Sequence, residues 1–130
     1  MNSEKSINSN GVRFSAKNNE GKEVGHVYLF IMYNDLHEKP FGFVEDLFVE
    51  KGFRGLNKGK NLMKALITKA EELGCYKLIA NSRTKRTDVH QLYKKIGFEK
   101  HGFEFRMEFW LFFLELHREE VSLLSFLLYF

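Results

Sequence analysis

The sequence predicts an α+β fold built on a mixed, mostly antiparallel central sheet with flanking helices. Three observations predict it. Strand-like runs with short connections occupy residues 12–49, as in an antiparallel meander. A segment of helical periodicity then stands between two apolar strand-like runs, the pattern of a crossover that joins a locally parallel pair. A second, shorter amphipathic helix follows.

Residues 1–10 are polar and rich in Ser and Asn, a flexible leader without the apolar core of a signal peptide. Residues 12–17 alternate apolar and polar, as a strand does, and Asn18-Asn19-Glu20-Gly21 is a turn. Residues 24–33 are β-branched, aromatic and nearly continuous, which predicts a second strand. The loop 34–40 holds the single proline, and residues 41–49 are a third strand. Residues 58–73 predict the first helix. Leu62, Leu66, Ala70 and Leu73 recur on one face, Met63 and Ile67 widen it, and Gly74 suits the C′ position. Residues 76–80 are a short apolar strand. Asp88 is expected to cap a second helix, with Val89, Leu92, Tyr93 and Ile96 inward and Gly97 at its end. Residues 103–109 alternate Phe and Met with Glu and Arg and predict a last strand.

Fourteen of the 21 residues in 110–130 are apolar, but Glu115, His117, Arg118, Glu119 and Glu120 interrupt them. The runs left are too short to cross a bilayer, so no membrane span is expected. An apolar extension of this kind is expected to pack on the domain or on a second copy, the latter giving a homodimer. The expected organisation is therefore a leader at 1–10, one domain at 11–109 and an extension at 110–130.

A chain of 130 residues is long enough to bury a core as one domain. Its formal charge of +3 is mild and does not by itself call for nucleic acid, where a concentrated basic face would be expected, so no nucleic-acid partner is expected. Lys and Arg gather locally, in 51–64 and 83–95. One cysteine, Cys75, excludes an internal disulfide framework and fits a reducing cytoplasm; it has no base beside it in sequence and reads as a packing residue. His26, His37, His101 and His117 have no metal-ligand spacing with each other or with Cys75, so no metal is expected.

The most telling segment is 47–60, Leu-Phe-Val-Glu-Lys-Gly-Phe-Arg-Gly-Leu-Asn-Lys-Gly-Lys. An apolar strand enters a loop of Gly, Arg, Asn and Lys that opens the long helix. Backbone N–H groups at a helix start have no intrahelical partner, and the helix dipole adds positive potential there. Glycines let phosphates approach the main chain. The segment predicts a phosphorylated ligand.

Two motifs stand in order with a strand between them. The first is Glu45-Asp46-Leu47-Phe48-Val49 followed by Arg54-Gly55-Leu56-Asn57-Lys58-Gly59-Lys60; the second runs from Asn81-Ser82-Arg83 through Asp88 to Tyr93-Lys94-Lys95-Ile96-Gly97-Phe98. Together, over residues 12–109, they resemble the GNAT superfamily of acyl-CoA-dependent N-acetyltransferases. The resemblance implies a three-layer fold whose third strand is bulged and splayed from the strand parallel to it. Acetyl-CoA would lie in that gap. Leu47, Phe48 and Val49 would pair with its pantetheine arm, and the N–H groups of Arg54, Gly55, Leu56, Asn57, Lys58, Gly59 and Lys60 would hold its pyrophosphate. Asn81 is assigned to the cofactor site with them. A N–H near Leu47 would polarise the acetyl carbonyl, and Tyr93 takes the position of the general acid that protonates the thiolate.

The chemistry leads to the same roles. A lysine-type ammonium, with a pKa of about 10.4, must lose a proton before attack, and a thiolate leaving group benefits from a nearby phenol. Glu45 is the candidate base, through water, with Asp46 as the alternative. Period-two alternation is expected to place these two carboxylates on opposite faces, so that one reaches the site. The residues also have plainer readings. Tyr93 sits on an apolar helix face and suits a core; Glu45 suits a solvated strand; Arg83, Lys85 and Arg86 suit a solvated loop or a contact to the cofactor's 3′-phosphate; His90 suits a structural or surface place. Two positions depart from the family pattern. Asn57 replaces a glycine, and Asn is the residue best able to take positive φ in its place. Lys58 replaces an apolar residue and either contacts phosphate or faces solvent. The family commonly carries further elements ahead of the meander, which here has some ten residues before Val12. The expected activity is acetyl transfer from acetyl-CoA to an amine carried by a small molecule or peptide. A non-catalytic acyl-CoA-binding domain is the alternative.

Overall fold

The computed structural model describes residues 1–109. Met1–Lys100 is one compact unit, and residues 101–109 belong to a second. The first unit holds every strand and helix described, in the order β1 (Asn10–Lys17), β2 (Glu23–Met32), β3 (Phe41–Val49), α1 (Lys58–Glu72), β4 (Leu78–Ala80) and α2 (Thr87–Lys95), with a single 3₁₀ turn at Lys51–Phe53 between β3 and α1.

One four-stranded sheet runs β1-β2-β3-β4. The first three strands are antiparallel, and β4 is parallel to β3. The mixed α+β sheet with its two helices is thus the fold class expected. The β1–β2 turn forms because Asn18 organises it: its side-chain oxygen accepts the N–H groups of Glu20 and Lys22 at 2.9 and 3.0 Å, while Gly21 takes φ 81. Residues 1–9 carry no regular structure, although the Ser9 hydroxyl donates to the Ile31 carbonyl at 2.9 Å.

The sequence pattern dictates where the core lies. Val27, Leu29 and Ile31 alternate along β2 with His26, Tyr28 and Phe30, and the first set is buried. Against it α1 lays Leu62, Met63, Leu66 and Ala70, the i, i+1, i+4, i+8 stripe of an amphipathic helix. Val44 joins from β3. Tyr93, Ile96 and Phe98 pack against this cluster from α2 and its end. Gly42 explains how closely β3 and β4 approach: a Cβ there would lie 2.5 Å from Leu78 Cδ2 and 2.9 Å from Leu29 Cδ1.

Three expectations need correction. Residues 103–109 form no strand. Phe103, Phe105, Met107 and Phe109 are exposed, and Arg106 pairs with Glu104 at 2.7 Å and Glu108 at 3.6 Å. Alternation supplies two faces, but a strand also needs a neighbour for its main chain, and none pairs with this segment among the described residues. Asp88 does not cap α2; the helix begins ahead of it at Thr87, with Arg86 at the N-cap. Asp88 instead stands in the first turn, where a backbone hydrogen bond at Val89 and the nearby Arg86 guanidinium, 3.5 Å away, hold its carboxyl below the usual range. The third correction concerns Glu45 and Asp46 and belongs to the site. The expected extension at 110–130 lies outside the described residues. Among the described residues no helix is long and apolar enough to cross a membrane.

Candidate active site

The site begins where β3 and β4 part. Their parallel pairing covers Gly42–Leu78, Phe43–Ile79 and Val44–Ala80, and then β4 ends. From Glu45 to Val49, β3 remains paired with β2 alone. The gap expected from the resemblance is therefore an open strand edge, and Asn81 follows directly at its β4 side, exposed.

β3 is irregular at that point. His26 faces Phe48, and Tyr28 faces Glu45, so Asp46 and Leu47 together oppose Val27. Two residues against one is a β-bulge. Asp46 carries the distortion with φ 51. This corrects the expected alternation. Glu45 is paired with Tyr28, and the Asp46 carboxylate Oδ2 lies 2.8 Å from Nε2 of His26, so both acids belong to the face that carries His26 and Tyr28. Leu47 turns the other way and packs on the core, as does Val49. Phe48 is 42% exposed.

The loop after β3 presents main-chain donors. Phe53 N–H donates to the Glu50 carbonyl at 2.9 Å, and the next N–H with a partner is that of Asn61, which donates to the Asn57 carbonyl at 2.9 Å. Between them, the N–H groups of Arg54 through Lys60 have no acceptor among the described residues. The conformation follows from the residues. Gly55 has φ 80, and Asn57 takes φ 60, ψ 13, the left-handed geometry expected of it. Arg54 Nε donates back to the Val49 carbonyl at 2.9 Å and braces the turn. The Lys58 ammonium donates to the Lys17 carbonyl at 3.1 Å and ties the helix start to the first hairpin. Gly59 lies where a Cβ would meet Leu92 at 3.7 Å and Val49 at 3.8 Å, so β3, α1 and α2 meet at this residue. Leu56 and Lys60 are exposed.

Tyr93 reaches this region from α2. It is half-buried, with its ring 5.3 Å from that of Phe98. Burial pushes its phenol up, and the Glu45 charge pushes the same way, against a smaller opposing effect of Arg86. Tyr93 and Glu45 therefore act on one another. Arg83, Lys85 and Arg86 lie on an exposed loop; His90 is half-buried on α2. Burial raises the Cys75 thiol, in keeping with a packing role. No group of His, Cys, Asp and Glu suited to a metal occurs among the described residues. His26 is the participant that sequence reading missed. Its only sequence signal was a polar ring on the alternate face of β2, and its partner becomes visible only with the β2–β3 register.

The profile of the Acetyltransferase (GNAT) family matches residues 3–98. The chain belongs to this family. Glucosamine 6-phosphate N-acetyltransferase of Trypanosoma brucei brucei is 34% identical over 70 residues, which cover 54% of this chain and 46% of that protein. Aminoglycoside N(6′)-acetyltransferase type 1 of Stenotrophomonas maltophilia is 27% identical over 93 residues, 69% of this chain and 61% of that one. This GNAT chain thus spans less than two thirds of either relative. Its fold matches a solved acetyltransferase of Trypanosoma brucei with TM-score 0.68 and 29% identity, over 75% of this chain and 68% of that one.

Proposed function

We propose that this GNAT protein is an N-acetyltransferase that moves an acetyl group from acetyl-CoA to a primary amine by direct attack in a ternary complex. One observation carries the reading: the acceptor-less N–H groups of Arg54 through Lys60 open α1 beside the β3 edge that β4 leaves bare. That combination suits a diphosphate at the helix start and an amide-bearing arm along the strand edge. Leu47, Phe48 and Val49 supply the edge, with Asn81 across the gap. Bound acetyl-CoA supplies the acyl carbon as a thioester. The N–H at Leu47, the second residue of the bulge, polarises its carbonyl. Glu45, exposed beside the gap, takes the ammonium proton through water, whereas Asp46 is engaged by His26. Tyr93, whose phenol is raised and so stays protonated at neutral pH, gives its proton to the departing thiolate.

The acceptor we favour is a small-molecule amine of the amino-sugar class, because both relatives described above are named for such substrates. The lone Cys75 supports a cytoplasmic setting. Assembly as a homodimer through residues 110–130 belongs to the same proposal, on the apolar character of that sequence. A second reading, an acyl-CoA-binding domain without turnover, is favoured by the Asn57 side chain at the cradle.

Two measurements test the proposal. Acetyl-CoA at a hundred times its Kd stabilises the folded protein by about 2.7 kcal/mol, a melting shift on the order of 10 °C for a domain of this size. Thiol release with a panel of amino sugars then reports transfer. An unchanged melting temperature overturns the cofactor assignment. A shift without thiol release from any amine favours the binding domain.

A further inference from the structure

We propose that His26 is a positioning residue: it clamps the β3 bulge through Asp46 and thereby fixes the direction of the Leu47 N–H. This rests on the transferase reading, in which that N–H polarises the acetyl carbonyl.

Asp46 at φ 51 occupies the left-handed region, which costs a non-glycine residue free energy, although Asp tolerates it better than most, so a bond that holds it there counts. The support comes from the neighbouring strand, a bond between His26 Nε2 and Asp46 Oδ2 at 2.8 Å. The two partners differ in burial. The His26 side chain is 20% exposed and Asp46 61%, so the imidazole is the anchor and the carboxylate the part held. The anchor is itself fixed by aromatic neighbours. The ring of Phe48 lies 5.5 Å away, and Tyr28 meets it edge-on at 5.7 Å. Phe48 is the residue opposite His26 in the register, so the imidazole touches the first bulge residue, Asp46, and the residue that follows the bulge.

The consequence follows from strand geometry. If Asp46 relaxes to negative φ, the bulge changes type, and the main chain at Leu47 turns relative to its neighbours. The oxyanion donor then points elsewhere. The diphosphate loop lies beyond Val49 and keeps its own brace, Arg54 Nε on the Val49 carbonyl. Loss of the clamp is therefore felt in the chemical step and not in cofactor affinity.

A mutant cycle with two readouts tests this. His26→Ala is expected to lower kcat about tenfold, the loss of one charge-assisted hydrogen bond, with KM for acetyl-CoA unchanged. His26→Gln, whose amide N–H can still reach Asp46, restores most of the loss. Hydrogen exchange at the amides of Asp46, Leu47 and Phe48 rises in His26→Ala. In an Asp46→Gly background, where glycine accepts φ 51 unaided, removing His26 leaves that exchange and kcat where Asp46→Gly alone set them. The clamp is overturned if His26→Ala leaves exchange at residues 46–48 unchanged, or raises it as much in the Asp46→Gly background as in the native one. Exchange needs no turnover. A protein that acetylates no amine but still shows the His26-dependent exchange would lose the transferase reading and keep the clamp.

Discussion

At Tyr93 two pressures converge on one hydroxyl. Burial among the core side chains disfavours the phenolate, and the Glu45 carboxylate disfavours it further. The phenol is thus a proton donor over the whole physiological range. Tyr93→Phe removes the donor and keeps the ring, so the fold and the Phe98 contact survive. We expect kcat to fall by a factor of about 10²–10³, the usual contribution of a positioned acid, with acetyl-CoA affinity by calorimetry unaltered. A kcat equal to that of the unmodified protein would return Tyr93 to the core. Its helical face was readable in sequence, and so was the motif around it. Its electrical contact with Glu45 was not, because that contact depends on where β3 leaves β4. Asp46 marks the same boundary. Nothing in a run of alternating residues announces a left-handed aspartate; only the pairing of His26 with Phe48 and Tyr28 with Glu45 exposes the additional residue.

Among the elements, α1 is the keystone of both packing and site. Its apolar stripe covers β1, β2 and β3, and its first turn supplies part of the donor row. Leu66, fully buried at the centre of that stripe, is the sharpest probe. Leu66→Ala should cost about 2–5 kcal/mol in urea unfolding, through lost burial and the cavity left behind. A cost under about 1 kcal/mol would mean that α1 packs elsewhere in solution. This helix was legible almost to the residue, Lys58–Glu72 against an expected 58–73, because its periodicity and glycine stop are local signals. The third strand was legible for the same reason. The start of α2 lies ahead of the expected cap, since Asp88 satisfies a first-turn amide as readily as a cap. The strand expected at 103–109 failed on a non-local requirement, a neighbouring ladder that alternation alone does not provide.

For the molecule as a whole, two titrations shape the stability profile at opposite ends. Two hydrogen bonds from Arg13, at 2.6 and 2.8 Å, hold the Glu23 carboxyl down to about 2. A depressed folded value adds stability above the ordinary carboxylate value, about 4.5 here, and that stability is lost as pH falls from there through about 2. Tyr93 has the opposite sign. Its raised folded value adds stability that is intact below about pH 10, the ordinary phenol value, and is lost as pH climbs through the folded one. Melting temperatures from about pH 2 to about pH 11 should therefore fall at both ends. Glu23→Gln should flatten part of the acid limb, Asp88 carrying another part, and Tyr93→Phe part of the alkaline limb, the rest belonging to groups such as the Cys75 thiol; limbs unmoved by either substitution would refute the assignment. The architecture was open to sequence reading because β1–β2–β3 are sequential neighbours and β4 is set by a single crossover.

The donor row of Arg54 through Lys60 has a consequence for inheritance. Its hydrogen-bonding groups are peptide amides, which every residue but proline carries whatever its side chain. The letters at Leu56 and Lys60 are consequently free to drift among descendants, whereas Arg54 is tied by its side chain to the Val49 carbonyl. The constraint falls on Gly55 and Asn57, which set the path of the chain, so kinship at this segment is kept in a contour and only faintly in an alphabet.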